Sequence, residues 1–334
     1  MSTTAEVHEE EAGVRLDRWF KRHYPALGHG PLEKLLRTGQ VRVNGKRASA
    51  GDRLEPGQMI RIPPQLQGVE QSPVAPRPAS VNDADKELIE HMVIHEDSSV
   101  FVLNKPSGIP TQGGSGVRRH IDGMLEALQG KKRQKPRLVH RLDRDTSGVL
   151  VVARTLPAAA ALSESLRRRD ARKIYWALTK GVPKPHQGVV KLALAKEAGF
   201  GKYGRDERMT PAGDDTADAK SATTYYVVMG TAADEYAWVA LRPVTGRTHQ
   251  LRAHLAHLGT PIVGDFKYGG DTAKGMGELE DRLHLHARSI DIAHPDSGRL
   301  RATAPLPAHM VHAWRLFGFD AASKIDPFGD ERRK

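Results

Sequence analysis

The feature that most limits the folds open to this chain is residues 139–153, VHRLDRDTSGVLVVA. The last five, Val149 to Ala153, contain no polar side chain, which is the pattern of a strand covered on both faces. Before the strand come His140, Arg141, Asp143, Arg144 and Asp145, then Thr146-Ser147-Gly148 as a turn. A polar loop feeding a core strand holds charged groups at the edge of a rigid sheet, where functional sites concentrate. Asp143 has basic residues on both sides. A carboxylate near cations stays ionised at neutral pH and can act as a nucleophile or a base. A structural ion-pair turn has the same composition, and these residues alone do not separate the two readings.

The 334 residues are enough for two or three domains. A formal net charge of +11 favours a polyanionic partner, most simply nucleic acid. The absence of cysteine excludes disulfides, thiolate catalysis and zinc sites of the cysteine type. No apolar run reaches the roughly 18 residues of a membrane span. The start, MSTTAEVHEEEAG, is acidic and lacks the apolar centre of a signal peptide. The expectation is a cytoplasmic protein with no membrane association, and a monomer.

Residues 1–12 read as a frayed acidic tail. From Gly13 the pattern changes. Leu16, Trp19 and Phe20 recur at helical spacing among basic residues, and Pro31 can open a second helix carrying Leu32, Leu35 and Leu36. Val41-Arg42-Val43 alternates into Asn44-Gly45, a strong two-residue hairpin signal, and Met59 to Ile62 alternates again. Residues 64–86 are rich in proline and read as a linker with no fold of its own.

Beyond the linker, Val100 to Leu103 reads as a strand ending in the turn Asn104-Lys105-Pro106-Ser107-Gly108. The run KKRQKPR, 131–137, is equally a solvated charge run or an RNA contact. Residues 157–169 read as a helix, and Lys173 to Leu178 as a strand whose alternation puts Ile174, Trp176 and Leu178 on one face and Tyr175 on the other. If the first face packs on the core, Tyr175 faces a cleft. Residues 196–220 suggest a loop or hairpin, and 222–229 and 236–243 two strands. Leu251, Leu255 and Leu258 form a helical stripe with Thr248 as N-cap, Arg252 near the first turn and Gly259 at the end. Residues 283–287 read as one more short strand.

Sixteen histidines invite a metal reading, but no HExxH spacing occurs and no carboxylate lies within the segment holding His249, His254 and His257. No Walker A sequence is present either, since Lys-Ser/Thr does not follow Gly113 to Gly116. No metal and no cofactor are expected.

Two resemblances sharpen the reading. RLDRWFKR, LLRTGQVRVNGKRA and GDRLEPGQMIRIP, in that order, resemble the S4 RNA-binding domain. The resemblance implies that Arg37, Arg42, Asn44 and Lys46 face RNA; a solvated basic face is the alternative. NKPSGIPTQGG, HRLDRDTSGVLVVART, RKIYWALTKG and GRTHQLRAHLAHLGTPIVGDFKYG together resemble the RluA/RluC/RluD family of RNA pseudouridine synthases. That implies an α+β fold. A small S4-like α/β RNA-binding domain (13–63) and a linker (64–86) precede a catalytic domain (87–320) with a mixed, largely antiparallel sheet flanked by helices. It also implies isomerisation of uridine to pseudouridine without cofactor or metal. The S4-like domain with its long linker fits the members that modify 23S ribosomal RNA, so the resemblance implies that RNA or a pre-ribosomal particle as the partner.

Carried over position by position, Asp143 matches the family's catalytic aspartate and Tyr175 its active-site tyrosine. Arg252 matches the arginine that ion-pairs with the aspartate, Leu251 an apolar residue near the uracil, and Arg141 the arginine that takes the place of the extruded base. Lys105 is taken with the RNA contacts. One departure is Gln112, where many relatives carry histidine.

The chemistry agrees. The target nucleotide must leave the stack, and flat, cationic Arg141 can fill the gap. An ionised aspartate can attack the sugar C1′ or the uracil C6, and a proton must leave a carbon late in the reaction, with Tyr175 as base or positioner. A non-catalytic RNA-binding protein with a degenerate domain is disfavoured by the intact Asp143, Tyr175 and Arg252. A metal-dependent hydrolase is disfavoured by the lack of a carboxylate cluster near the histidines.

Overall fold

The computed structural model describes residues 3–66 and 81–329, apart from 114–116, 118, 131–133, 169, 198–207, 214, 215 and 217. The chain divides into two compact units, Met1–Ser80 and Val81–Lys334.

The first unit contains β1 (Thr3–Glu6), α1 (Leu16–His23), α2 (His29–Arg37), β2 (Arg42–Val43), β3 (Lys46–Arg47) and β4 (Met59–Ile62), with the strands in the order β1-β4-β2-β3. Leu16, Trp19 and Phe20 of α1 and Leu32 and Leu36 of α2 meet Ile60 and Ile62 of β4 in one core. Helical spacing on one side and alternation on the other bring these side chains together. Asn44 and Gly45 both have positive φ, 48° and 75°, as a tight hairpin turn between twisted strands requires. Two expectations are corrected. The N-terminus is not a frayed tail, because β1 pairs antiparallel with β4, Val7 is buried, and Glu11 meets His23 Nε2 at 2.6 Å. The stretch 64–86 is not featureless throughout either. Leu66 ends a short 3-10 turn buried in the first core, and a helix begins at Asp83, capped by the Asn82 side chain; residues 67–80 lie outside the described residues.

The second unit opens with α3 (Asp83–His91), β5 (Val93–Glu96), β6 (Val100–Lys105), α4 (Ile121–Met124), β7 (Arg137–Leu138), β8 (Ser147–Ala153) and α5 (Leu156–Ser165). It continues through β9 (Arg172–Lys180), β10 (Gln187–Lys191), β11 (Leu194–Lys196), β12 (Met209–Pro211), β13 (Thr223–Ala232) and β14 (Tyr236–Pro243). It closes with α6 (Gln250–His257), α7 (Phe266–Gly269), β15 (Leu285–Ala293), β16 (Arg299–Thr303) and α8 (Ala308–Leu316). Ten strands form a sheet in the order β10-β13-β14-β9-β15-β8-β6-β5, with β16 on β15 and β7 on β8. The β15–β8 pairing is parallel and the others are antiparallel, so the sheet is mixed and largely antiparallel, within an α+β fold.

The apolar strand is β8, buried along its whole length. Leu150 and Val152 enter one core with α3 and α4, while Val149, Val151 and Ala153 enter another with α5. Gly148 is required where β8 meets β15. Its φ is +111°, and a Cβ there would lie 2.2 Å from the Ala287 carbonyl oxygen. Helix α5 is shorter than sequence periodicity suggests, ending at Ser165, and β15 is longer, running to Ala293.

Candidate active site

The loop between β7 and β8 carries Asp143 and is pinned from several directions. His140 Nε2 accepts a hydrogen bond from the Val151 N–H of β8 at 2.9 Å. Burial, reinforced by the charge of Lys173, pushes the His140 pKa down to about 3, so the ring is a neutral acceptor. Leu142 is buried, and its N–H and carbonyl both meet Thr111 Oγ1, at 3.2 and 2.6 Å. The Arg144 carbonyl accepts from Gly108 N–H at 2.9 Å and from Lys105 Nζ at 3.0 Å. Ser147 Oγ meets His286 Nδ1 at 2.9 Å. Asp143 therefore projects from a backbone fixed on both sides, as a precisely placed reacting group needs.

Lys105 requires a correction. It is fully buried, and its ammonium donates to the carbonyls of Pro106, Ile109 and Arg144 at 2.8, 2.8 and 3.0 Å. All three donors are used inside the protein, so none remains for RNA. Burial lowers its pKa to about 8, against the pull of Asp145 and Asp143. It joins the turn after β6 to the Asp143 loop and lends that loop a positive charge.

A cleft of about 670 Å³ opens above Asp143, lined by Arg141, Lys173, Tyr175, Leu251 and Arg252, among others. The Asp143 side chain is 22% exposed. Among the described residues its carboxylate accepts no hydrogen bond, and the contact within ion-pair range is His249 Nε2 at 4.0 Å. Burial raises its pKa; the charges of Arg252, Arg141 and Lys105 oppose the rise, and Asp145 adds to it.

Tyr175 lies on β9 as alternation suggests. Ile174, Trp176 and Leu178 enter an aromatic core with Trp238 and Trp314, and Tyr175 turns the other way into the cleft. Burial, with the nearby Asp143 charge, pushes its pKa far up, so the hydroxyl stays protonated at neutral pH.

Arg252, at the start of α6, forms its ion pair with a different partner from the one the resemblance implies. Nε donates to Asp265 Oδ2 at 2.8 Å and Nη2 to Oδ1 at 2.6 Å, a bidentate pair. The Arg252 side chain is 9% exposed and that of Asp265 is 0%. Asp143 feels Arg252 through space, as the largest of the opposing charges. Asp265 was not singled out from sequence, although it lies in the GDFKYG end of the fourth motif. Its neighbours Ile262 and Val263 are buried, and an acidic residue beside such a pair needs a cation.

The cap of α6 also differs from expectation. His249, not Thr248, is the N-cap residue, held in the left-handed region at φ 51°. Its Nδ1 meets the Tyr268 hydroxyl at 3.0 Å, and that hydroxyl accepts from Met209 N–H of β12 at 2.9 Å. Buried Gln250 fixes the preceding loop, accepting from Thr245 Oγ1 and Arg247 N–H and donating to Thr223 O and Thr224 Oγ1. Leu251 is buried at the cleft wall, and Arg141 is exposed at the same cleft.

In the first unit, Arg37 and Lys46 are exposed. Arg42 and Asn44 are tied into the hairpin. Arg42 donates to the Gly39 and Gly45 carbonyls, at 3.2 and 2.9 Å, and Asn44 Oδ1 accepts from Met59 N–H at 2.8 Å. Gln112 is exposed, and residues 131–133 of the basic run lie outside the described residues.

A family model described as RNA pseudouridylate synthase matches residues 99–257, the span holding the Asp143 loop, Tyr175 and Arg252. Among solved structures, human RNA pseudouridylate synthase domain containing 4 superposes with a TM-score of 0.58 at 30% identity, over 70% of this chain and 95% of that one. The fold and cleft thus define an RNA-modifying enzyme of the pseudouridine synthase class. Ribosomal large subunit pseudouridine synthase C of Vibrio cholerae is 36% identical over 314 residues, 92% of this chain and 94% of the relative. Its Escherichia coli counterpart is 35% identical over 311 residues, 90% and 92% of the two chains. The chain belongs to the RluA family of RNA pseudouridine synthases. RNA is its substrate, and uridine isomerisation its reaction. Among the described residues, no helix is long and apolar enough to cross a membrane.

Proposed function

We propose that this enzyme isomerises uridines of large-subunit (23S) ribosomal RNA, free or in a pre-ribosomal particle, with Asp143 as the nucleophile. One observation carries the assignment: a carboxylate on a multiply pinned loop, without a hydrogen-bond donor among the described residues, facing a cleft lined by Tyr175, Leu251 and Arg252. The substrate assignment is supported by the near full-length similarity to synthases named for the large ribosomal subunit.

In this reading the uridine flips out of the stack, Arg141 fills the space it leaves, and the uracil lies against Leu251. The N1–C1′ bond breaks, the base turns, and C5 bonds to C1′. The C5 proton then leaves, and N1 gains a proton. Attack at C1′ and attack at C6 both require an ionised Asp143, which the Arg252, Arg141 and Lys105 charges favour against burial. Tyr175 works as a neutral hydroxyl that orients the carboxylate and base, because its raised pKa disfavours a phenolate. Released Asp143, a stronger base than an exposed aspartate, receives the C5 proton. Arg252, braced by Asp265, holds its charge beside the reaction without swinging onto the nucleophile.

The first unit acts in this reading as an S4-like RNA-binding domain. The exposed residues Arg18, Lys21, Arg22, Arg37 and Lys46 support this, with Arg42 and Asn44 shaping the hairpin. The test is to map pseudouridines in ribosomal RNA from a strain lacking the gene. Specific 23S sites should disappear, and return with the wild-type gene but not with Asp143→Asn. An unchanged 23S map would overturn the substrate assignment.

A further inference from the structure

Lys173 lies on β9 two residues before Tyr175, on the same face of the strand, and lines the same cleft. It is half-buried, and among the described residues no hydrogen bond or ion pair engages its ammonium. Burial lowers its pKa, and among the described residues no carboxylate acts against that shift. The groups that share the wall cannot balance it. His140 is a neutral acceptor already bound to Val151, Tyr175 is a neutral phenol, and Arg141 and Arg167 are cations. Among the described residues lining the cleft, Asp143 is the only carboxylate. A partly desolvated ammonium with no internal partner is unfavourable, unless a ligand brings the missing anion.

We infer that Lys173, with exposed Arg167 lining the same cleft, forms a subsite for a backbone phosphate next to the flipped uridine. This rests on the reading of the cleft given above. A phosphodiester suits the site better than a uracil carbonyl. It is anionic, it accepts from several donors at once, and the wall offers clustered cations instead of a single polar group. The subsite would fix the strand on the Tyr175 side of the cleft while Asp143 engages the sugar or base.

The experiment uses the full chain and an in vitro transcript of 23S ribosomal RNA. Binding is measured over a salt series in the Asp143→Asn background, where no turnover intervenes. Lys173→Met should weaken binding roughly tenfold or more, as for a lost charge-assisted hydrogen bond. It should also flatten the slope of log K against log salt by about 0.7, one single-strand phosphate. Lys173→Arg should keep the slope. With Asp143 intact, Lys173→Met should raise KM and leave the single-turnover rate at saturating RNA within several-fold. Its melting temperature should equal or exceed the parent's, since an unpartnered, partly desolvated charge has gone.

Unchanged affinity and slope would overturn the subsite. Weaker binding at an unchanged slope would replace the phosphate with a neutral partner and also overturn it. A rate loss of about 100-fold at unchanged KM would make Lys173 a proton carrier instead. If wild-type enzyme forms no pseudouridine in the transcript or in a pre-ribosomal particle, the reading of the cleft fails. The salt slopes then still decide separately whether Lys173 binds phosphate.

Discussion

The Arg252–Asp265 pair allows a prediction with a magnitude. Asp265→Ala removes both acceptors from a guanidinium whose side chain is 9% exposed, at the base of α6. Truncating one member of a buried, hydrogen-bonded ion pair costs about 3–5 kcal/mol, because the remaining charge is left uncompensated. For a domain of about 150–250 residues, each kcal/mol moves the melting temperature by about 2–4 °C, so a fall of roughly 6–20 °C is expected. The double variant Asp265→Ala/Arg252→Met removes the orphaned charge as well and should melt above Asp265→Ala alone. Calorimetry on the single and double variants reads both numbers. Turnover should fall in Asp265→Ala although Asp265 is absent from the residues lining the cleft, since Arg252 loses its brace. A single variant within about 2 °C of wild type, or a double variant melting below the single one, would mean that Asp265 does not hold the charge in place.

Three further outcomes follow from the site. Tyr175→Phe keeps the ring and loses only the hydroxyl, so RNA binding should survive while turnover falls by roughly 10²-fold or more; turnover within a few-fold of wild type would make Tyr175 a packing residue. The acid limb of kcat/KM should reflect Asp143, which must be ionised and whose pKa burial raises. Arg252→Met removes the largest opposing charge and should move that limb to higher pH, and a limb that stays in place or moves to lower pH would contradict the assignment. A fragment starting at Val81, where the second unit begins, should retain the chemical step but bind ribosomal RNA more weakly and with a shallower salt dependence. Equal affinity and slope would remove the first unit from the RNA interface.

Much of this site was legible where local pattern decides it. The unbroken apolar run of β8 needs cover on both faces, and it is divided between two cores. The alternation along β9 determines which way Tyr175 points, because a one-residue shift would exchange its faces. Asn44-Gly45 specifies its turn through φ alone. What stayed hidden depends on partners distant in the chain. Lys105 reads as an exposed loop cation until the carbonyls of Ile109 and Arg144 close around it. The acidic N-terminus reads as a tail until β4 presents an edge for β1 and His23 meets Glu11. Arg252 reads as the partner of Asp143 until Asp265, on the loop beyond α6, takes its fork. His249 defeats a capping rule because its backbone turns left-handed at the helix start, where Thr248 is the better cap by propensity.

The most direct measurement is tritium release from [5-³H]uridine-labelled 23S ribosomal RNA by Asp143→Asn. The amide is nearly isosteric but cannot act as an anionic nucleophile, so release should fall by about 10⁴-fold or more. The fold should not suffer. The folded-state pKa of Asp143 lies above its unfolded value, so the ionised side chain destabilises the protein as pH rises through that pKa. Arg252 keeps its pair with Asp265 in the variant. At neutral pH the variant should therefore melt at or above wild type. A protein that melts so and still releases tritium at the wild-type rate would contradict the assignment of Asp143 as the nucleophile.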